Sequence, residues 1–225
     1  IVDYFKEKFK FSNATTPDKK QLKRIEQIES KFVHSLATVS DIDDDYILKC
    51  LFDLVKHTLR TNYYQHELND HYILTFKMDS KNMISLPPKS YREIFIFSPE
   101  MEGIHIRFGP VSRGGIRWSN RINDFRKEVL GLAFTQRVKN VVIVPNGSKG
   151  GFIIKKSFDP SKAGDVSKHH YCEFIQGLLS ITDSKLPNGT IQKPHHVVCY
   201  DQDDPYLVVA ADKGTATFSD FANKI

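Results

Sequence analysis

Residues 105–155 carry two positively charged side chains that are each flanked by glycines. The first is Arg113, which is followed by Gly114 and Gly115. The second is Lys149, in the run Asn-Gly-Ser-Lys-Gly-Gly. Glycines beside a cation let the backbone take unusual dihedral angles and let a ligand approach the main chain closely. The pattern predicts a turn at each cation, and two such turns in one stretch favour a binding site over two solvated loops.

Regular structure is predicted around and between these turns. Helical spacing predicts a helix that ends near Lys139, with an inward face formed by Phe125, Val129, Leu132, Ala133 and Gln136. The continuous apolar run at 141–144 is typical of a strand covered on both faces. Alternation at 104–108 predicts a strand before the first turn, and residues 152–154 predict one after the second. Both cations should therefore lie on turns held by a strand–helix–strand unit.

Residues 1–60 have helical periodicity. One helix is predicted to start at the Thr-Pro-Asp sequence ending in Asp18, because a capping hydroxyl and a proline favour a first turn. Another is predicted to start at Ser40 or Asp41. The residues predicted to form the buried stripes of these helices are Leu22, Ile25, Ile28, Phe32 and Leu36, then Ile47, Leu51, Leu54, Val55 and Thr58.

Strand and helix patterns alternate in the rest of the chain. Period-two alternation predicts strands at 72–78 and 93–97. A helix is predicted from about Asp165, followed by a long surface loop at 182–194. The residues predicted to face inward from this helix are Tyr171, Phe174, Ile175, Leu178 and Leu179. The alternation predicts a protein of the α/β class.

Asp212 stands where a buried strand is predicted to end. Apolar runs at 197–200 and 206–211 predict two strands, and the second leads directly into Asp212. In open α/β sheets, ligands bind at the carboxyl ends of strands. Asp212 is therefore a candidate site residue.

The composition is that of a globular protein with room for a sizeable core. The chain has 225 residues, of which 40% are hydrophobic and 26% charged, and a net charge of +5. This charge permits anionic ligands but does not indicate nucleic acid. Three widely spaced cysteines favour a reducing compartment, and no signal peptide or membrane span is evident. The ends, without an initiator methionine or a final helix stop, suggest part of a longer polypeptide or a chain trimmed after tag removal.

Two His-His pairs, at 169–170 and 195–196, are each followed by a cysteine. Neither cluster has the ligand spacing of a structural zinc site. Histidines on a helix surface and in a loop are the simpler interpretation. The sequence therefore predicts no metal site.

Three motifs together resemble one enzyme family. They are GPVSRGGIRW at 109–118, VKNVVIVPNGSKGGF at 138–152 and DDPYLVVAADKGTATFSD at 203–220. In this order they closely resemble the large bacterial NAD-specific glutamate dehydrogenases. The resemblance is dense from about Tyr63 to the end of the chain and weak over residues 1–60.

The resemblance implies two catalytic residues. Lys149 matches the catalytic lysine of the family, which polarises the substrate carbonyl and activates water. Asp212 matches the aspartate that shuttles protons. The reaction implied is the oxidative deamination of L-glutamate to 2-oxoglutarate and ammonia, with NAD as the hydride acceptor.

The resemblance also implies a substrate-binding group. Arg113, with Gly114 and Gly115 beside it, falls where smaller enzymes of this type carry a substrate-binding lysine. An arginine keeps the charge and offers a planar fork for a carboxylate. Lys139 falls near a second substrate lysine of the family, although its spacing to Lys149 is shorter than in the small enzymes.

The implied fold is a helical segment at 1–65 followed by a mixed-sheet α/β substrate domain at 66–225, truncated at its C-terminus. No glycine-rich dinucleotide fingerprint follows a predicted strand. NAD should therefore be bound mainly by a domain outside this chain, and we expect the chain alone not to turn over substrate.

The family also implies a cytoplasmic homo-oligomer that binds neither nucleic acid nor membrane. Two other interpretations stay open from the sequence. One is an inactive split-gene remnant that serves as a binding or assembly module. The other is a protein that binds nucleic acid through its basic turns, with Tyr63, Tyr64 and Trp118 stacking on bases, although no RNA- or DNA-binding signature is present.

Overall fold

The computed structural model describes residues 1–11, 14–68, 72–139, 146–213 and 215–225, except for the side chains of 66–68, 136–139 and 211. Its helices are α1 (Val2–Phe9), α2 (Lys19–Leu36), α3 (Ile42–Lys56), α4 (Phe125–Lys139), α5 (Ala163–Ser180) and α6 (Ser219–Ala222). Its strands are β1 (Thr58–Thr61), β2 (Leu74–Met78), β3 (Arg92–Phe97), β4 (Met101–Arg107), β5 (Gly114–Trp118), β6 (Ser148–Ile154), β7 (Ser184–Lys185), β8 (Ile191–Gln192) and β9 (Val209–Ala211). Short 3₁₀ helices span Tyr63–Leu68 and Pro160–Lys162.

Seven strands form one mixed sheet in the order β1-β2-β3-β4-β6-β5-β9. The strands from β1 to β4 are antiparallel neighbours, and β6 continues the sheet antiparallel to β4. Beyond β6, strands β5 and β9 run parallel to it. The predicted α/β class with a mixed sheet is confirmed.

Helices cover both faces of the sheet. α5 packs on one face through a core that includes Ile96, Ile116, Phe152 and Phe174. α4 packs on the other face over Ile104, Ile106 and Ile153. The predicted inward residues that are buried are Phe125, Val129 and Ala133 in α4 and Tyr171, Phe174, Ile175 and Leu178 in α5. Leu132 is half-buried, the Gln136 side chain lies outside the described part, and Leu179 is exposed because it lies on the solvent side of α5.

Two glycines of α5 provide a matched test of how closely this helix approaches the sheet. A Cβ added at Gly177 would lie 2.8 Å from Cγ2 of Ile96, whereas one at Gly164 would meet nothing within 4 Å. We expect Gly177→Ala to lower the free energy of unfolding by about 1–3 kcal/mol through overpacking. Gly164→Ala should instead raise it by up to about 1 kcal/mol, because alanine has the higher helix propensity.

Urea unfolding of the 225-residue chain, followed by circular dichroism, measures both changes. The same sign for the two substitutions would contradict the close helix–sheet contact at Gly177.

The predicted start of α3 at Asp41 is confirmed, whereas α2 is capped by Asp18 and not by the threonine hydroxyl two residues earlier. The Asp18 side chain accepts a hydrogen bond from a backbone N–H in the first turn of α2, and the Asp41 side chain accepts two in the first turn of α3. Among the residues that the structure describes, no helix is long and apolar enough to cross a membrane.

The stripe predicted for α3 is wrong at three positions. Ile47, Leu51 and Leu54 are exposed by 53%, 49% and 37%. Phe52 faces the core instead, with its ring 4.2 Å from that of Phe32. Of the other stripe residues, Ile25 is buried, Ile28, Phe32, Leu36 and Val55 are partly buried, Leu22 is exposed and Thr58 is buried in β1. α3 has apolar residues on two sides, so periodicity alone could not select the packed face.

Several predicted strands differ from the structure. Residues 197–200 form no strand, although most are buried, because their backbone N–H groups donate to a loop near the N-terminus and to β1. Only the last three residues of 206–211 form a strand, and the loop predicted at 182–194 contains the β7–β8 hairpin. The strand predicted at 141–144 lies outside the described residues. β5 was not predicted, because its two glycines interrupt the alternation.

Candidate active site

The fold places the two glycine-rich segments side by side. Arg113 forms an isolated parallel bridge with Gly147. Its N–H donates to the carbonyl of Asn146 at 3.3 Å, and its own carbonyl accepts from the N–H of Ser148 at 3.0 Å. These bonds join the two glycine-rich segments at the start of the parallel pair β5 and β6. That both segments contribute to one site remains a prediction, and the pairing brings the two backbones together.

Lys149 lies within β6 and not on a turn, which corrects the predicted local structure. It is 3% exposed and is paired in register with Ile106 of β4. This pairing puts its side chain on the face covered by α4. Two residues further along, a Cβ at Gly151 would clash with Val129 of α4. The glycine thus allows α4 to approach the strand that carries Lys149.

Asp212 follows β9 and receives a hydrogen bond from Nζ of Lys149. β5 lies between the strands that carry these two residues. Gly115, at the start of β5, is buried and has no side chain to separate them. The two residues assigned to catalysis, 63 positions apart in the sequence, are therefore in direct contact.

The charge of Asp212 is stabilised by its surroundings. Burial opposes its ionisation, but the hydrogen bonds from Lys149 and from the backbone of Lys213, with the charges of Lys149 and Arg117, lower its pKa below 3.8. Nε of Arg117 lies 3.4 Å from Oδ2 of Asp212. Arg117 also pairs with Glu128 of α4 at 3.0 Å. Asp212 is therefore held as a carboxylate between two cations.

A threonine fixes the segment after β9. The hydroxyl of Thr215 donates to the carbonyl of Ile116 in β5 at 2.7 Å, and it accepts from the N–H of Asp212 at 3.1 Å. Sequence reasoning missed the roles of Thr215 and Glu128 and did not assign Arg117 to the site. Only the sheet register brings them to Asp212.

The predicted substrate-binding residues are partly placed. Arg113 is exposed, and no residue of the described ranges hydrogen-bonds to its side chain, so its guanidinium can receive a ligand. Gly114 and Gly115 begin β5 beside it. Lys139 is the last residue of α4, but its side chain lies outside the described part of the chain.

The glycine-rich segments do not fit a dinucleotide. Both lie at the amino ends of their strands, β5 and β6. A dinucleotide pyrophosphate instead sits after the carboxyl end of a strand, at the start of the following helix. These segments can bind a small anion, but they do not provide the pyrophosphate site of NAD.

A chain of buried ion pairs supports the Arg113 segment from the α5 side of the sheet. The pairs join Arg60 to Asp183 and Asp201, Lys77 to Asp201 and Asp204, and Arg107 to Asp204. Arg107 also donates to the carbonyl of Pro110, three residues before Arg113. Nη1 of Arg107 lies 2.7 Å from Oδ2 of Asp204. The burial of Arg60 and Lys77 was not predicted.

Comparison with known proteins gives the family. Residues 31–225 match the family described as bacterial NAD-glutamate dehydrogenase, catalytic domain. The chain is 48% identical over 207 residues to the NAD-specific glutamate dehydrogenase of Halomonas elongata, covering 89% of this chain and 13% of that protein. It is 46% identical over 233 residues to the Pseudomonas aeruginosa enzyme, covering 100% and 14%, and 47% identical over 197 residues to the Mycobacterium tuberculosis enzyme, covering 82% and 12%.

The chain therefore spans only 12% to 14% of the length of these relatives. Its match to the family extends over most of its own residues and includes Arg113, Lys149 and Asp212. The chain belongs to the bacterial NAD-glutamate dehydrogenase family.

Proposed function

We propose that this chain forms the substrate-binding and proton-transfer part of an NAD-dependent glutamate dehydrogenase. The reaction is the oxidative deamination of L-glutamate to 2-oxoglutarate and ammonia. The observation that carries the proposal is the direct contact of Lys149 with Asp212 beside the exposed Arg113 segment. NAD, bound mainly by residues outside this chain, accepts the hydride from Cα of glutamate.

Lys149 and Asp212 handle the protons of this reaction. Loss of the hydride leaves an imine, water adds to its carbon, and loss of ammonia then gives the oxo acid. Lys149 can act as a base only after its ammonium has released a proton; the neutral amine is then positioned to take a proton from the attacking water, and the ammonium so formed to donate to the developing carbonyl oxygen. Asp212, held ionised, is positioned to accept a proton from the substrate amino group and to return it to the departing nitrogen.

Arg113 supplies the carboxylate contact. Its guanidinium is exposed and offers two parallel donors to one carboxylate of glutamate. Lys139 is proposed for the second carboxylate, as predicted from the sequence. The proposal also retains a cytoplasmic homo-oligomer. The proposal is preferred to an inactive remnant because Arg113, Lys149 and Asp212 are all present and Lys149 contacts Asp212.

The test is a nicotinamide-reduction assay of the full-length protein with L-glutamate. We expect glutamate-dependent reduction of NAD by the full-length protein and none by the 225-residue chain alone. Absence of activity in the full-length protein would reject the proposed reaction and favour the binding-module alternative. Turnover by the isolated chain would reject the assignment of NAD binding to residues outside it.

A further inference from the structure

Three potential metal ligands lie together on α5, at the boundary between its buried and its solvent-exposed side. Glu173 follows His169 by four residues and His170 by three, which places all three side chains on neighbouring positions of the helix. Nδ1 of His170 is 2.6 Å from Oε2 of Glu173, and Nε2 of His169 is 3.7 Å from Oε1. One ligand atom from each side chain lies within 4.8 Å of the other two.

These separations suit a single ion. With bonds of about 2.0–2.2 Å to nitrogen and oxygen, two ligand atoms of one zinc ion are about 3–3.5 Å apart. The observed distances of 2.6 Å and 3.7 Å fall on either side of this value. To share one ion, His170 and Glu173 would move apart and His169 and Glu173 would move closer together. We propose that His169, His170 and Glu173 bind a divalent transition-metal ion, with zinc as the best fit.

The arrangement is partly preorganised. The side chain of His170 is 3% exposed and that of Glu173 is 20% exposed, so burial already limits their rotamers. The hydroxyl of Ser98, after β3, also approaches Oε2 of Glu173 at 3.5 Å. His169 is 69% exposed and provides the entry from solvent. A ligand set that is ordered before binding loses less conformational entropy when the ion arrives.

One further carboxylate, that of Glu100 in the turn between β3 and β4, lies outside this three-residue cluster. The carboxylate of Glu100 pairs with Lys156 and interacts electrostatically with His169 and His170. If it exchanges Lys156 for the metal, the ion joins α5 to the β3–β4 turn. With Glu100 bound, a four-coordinate site would be complete. Without Glu100, water would take the fourth position.

The donor set selects the class of metal. Two imidazole nitrogens with one or two carboxylates suit zinc, cobalt or nickel. Calcium and magnesium prefer oxygen ligands throughout.

Sequence reasoning rejected this cluster because it considered the histidines together with Cys172 and did not include Glu173. The site is separate from Lys149, because α5 covers the sheet face opposite to α4.

The test measures zinc binding to the full-length protein by equilibrium dialysis. The variants are His169→Ala and Glu173→Gln, and the control is His195→Ala, which makes the same change in the other His-His pair. His169 is exposed and Gln can keep the contact with His170, so both variants should fold; circular dichroism checks this. We expect the zinc affinity of this site to fall at least about tenfold in each variant. At a free zinc concentration that just saturates the site in the wild type, each variant should therefore bind less zinc per chain.

Cobalt provides an independent readout. We expect the visible absorption of the Co²⁺-loaded protein to change in both variants and to stay unchanged in His195→Ala. We also expect Glu100→Gln to weaken binding less than Glu173→Gln does. Equal zinc binding by wild type and both variants, or an equal loss in the control, would show an adventitious ion only and would overturn the proposal.

Discussion

Replacing Lys149 by alanine in the full-length protein is expected to lower kcat/KM for L-glutamate by about 10³-fold or more. The substitution removes the group proposed to activate water and to polarise the carbonyl, and general acid–base groups contribute about 10²–10⁴-fold. It also leaves Asp212 without its closest cation, so the proton-transfer pair is lost as a unit. The measurement is the initial rate of NAD reduction at several glutamate concentrations.

Lys155→Ala is the matched control. Lys155 directly follows β6, its side chain is 25% exposed, and its Nζ lies 3.3 Å from Glu102. Removing a half-exposed ion pair away from the site should change kcat/KM by no more than about twofold. If Lys149→Ala kept a tenth or more of the wild-type kcat/KM, Lys149 would not be the acid–base group.

Asp212→Asn separates the two roles. The asparagine amide keeps the shape of the side chain, but it has no carboxylate oxygen that can accept a proton. We expect a loss of about 10²-fold or more in kcat for this variant. We also expect the double variant Lys149→Ala with Asp212→Asn to be little worse than Lys149→Ala alone, because groups acting together are not additive. Independent, multiplying losses would contradict a shared proton-transfer unit.

The candidate site could be predicted from sequence only as separate residues. The motifs around Arg113, Lys149 and Asp212 identified each one, but no local pattern indicates that β5 lies between β6 and β9. That order follows from long-range pairing. Gly115 was assigned to substrate binding, and its place between Lys149 and Asp212 became evident only from the sheet order.

Burial was the other property that the sequence could not give. Arg60 lies in the four-residue strand Thr-Leu-Arg-Thr, a short and largely polar context that is common on protein surfaces. Its burial follows from acids more than 100 positions away in the sequence, on segments that close over β1. In α3 the reverse occurred, and apolar residues at helical spacing were left exposed. In both cases tertiary contacts decide whether the side chain is buried. The periodicity of the sequence reflects only the local contribution to the free energy of folding.

Arg60→Met is therefore expected to cause the largest loss of stability, about 3–5 kcal/mol in the free energy of unfolding. Arg60 is fully buried, and its guanidinium donates to Asp183 at 2.6 Å and 3.2 Å and to Asp201 at 2.5 Å. It also donates to the backbone carbonyls of Ile181 and Gln202. Methionine fills much of the same volume but leaves these buried acceptors without their cation. Urea unfolding of the 225-residue chain at neutral pH measures the loss.

Arg24→Met is the control, because Arg24 makes an ion pair with Glu7 while its side chain is 53% exposed. Its removal should cost no more than about 1 kcal/mol, since water screens the pair. Arg60→Lys should recover only part of the stability, because one ammonium cannot reproduce the bonds of the guanidinium fork. A loss in Arg60→Met no larger than in Arg24→Met would contradict the buried network.

The pH dependence of the Arg60→Met effect distinguishes lost charge pairing from lost packing. Burial opposes the ionisation of Asp183, but hydrogen bonds from Arg60, from the backbone of Asp204 and from Lys193 outweigh it and lower its pKa below 3.8. A carboxyl with a lowered folded-state pKa adds stability above its unfolded pKa and loses it as the pH falls through the folded value. Without Arg60 that contribution is much reduced, so the stability difference between wild type and Arg60→Met should shrink on acidification below 3.8. A difference that stayed constant with pH would assign the effect of Arg60 to packing alone.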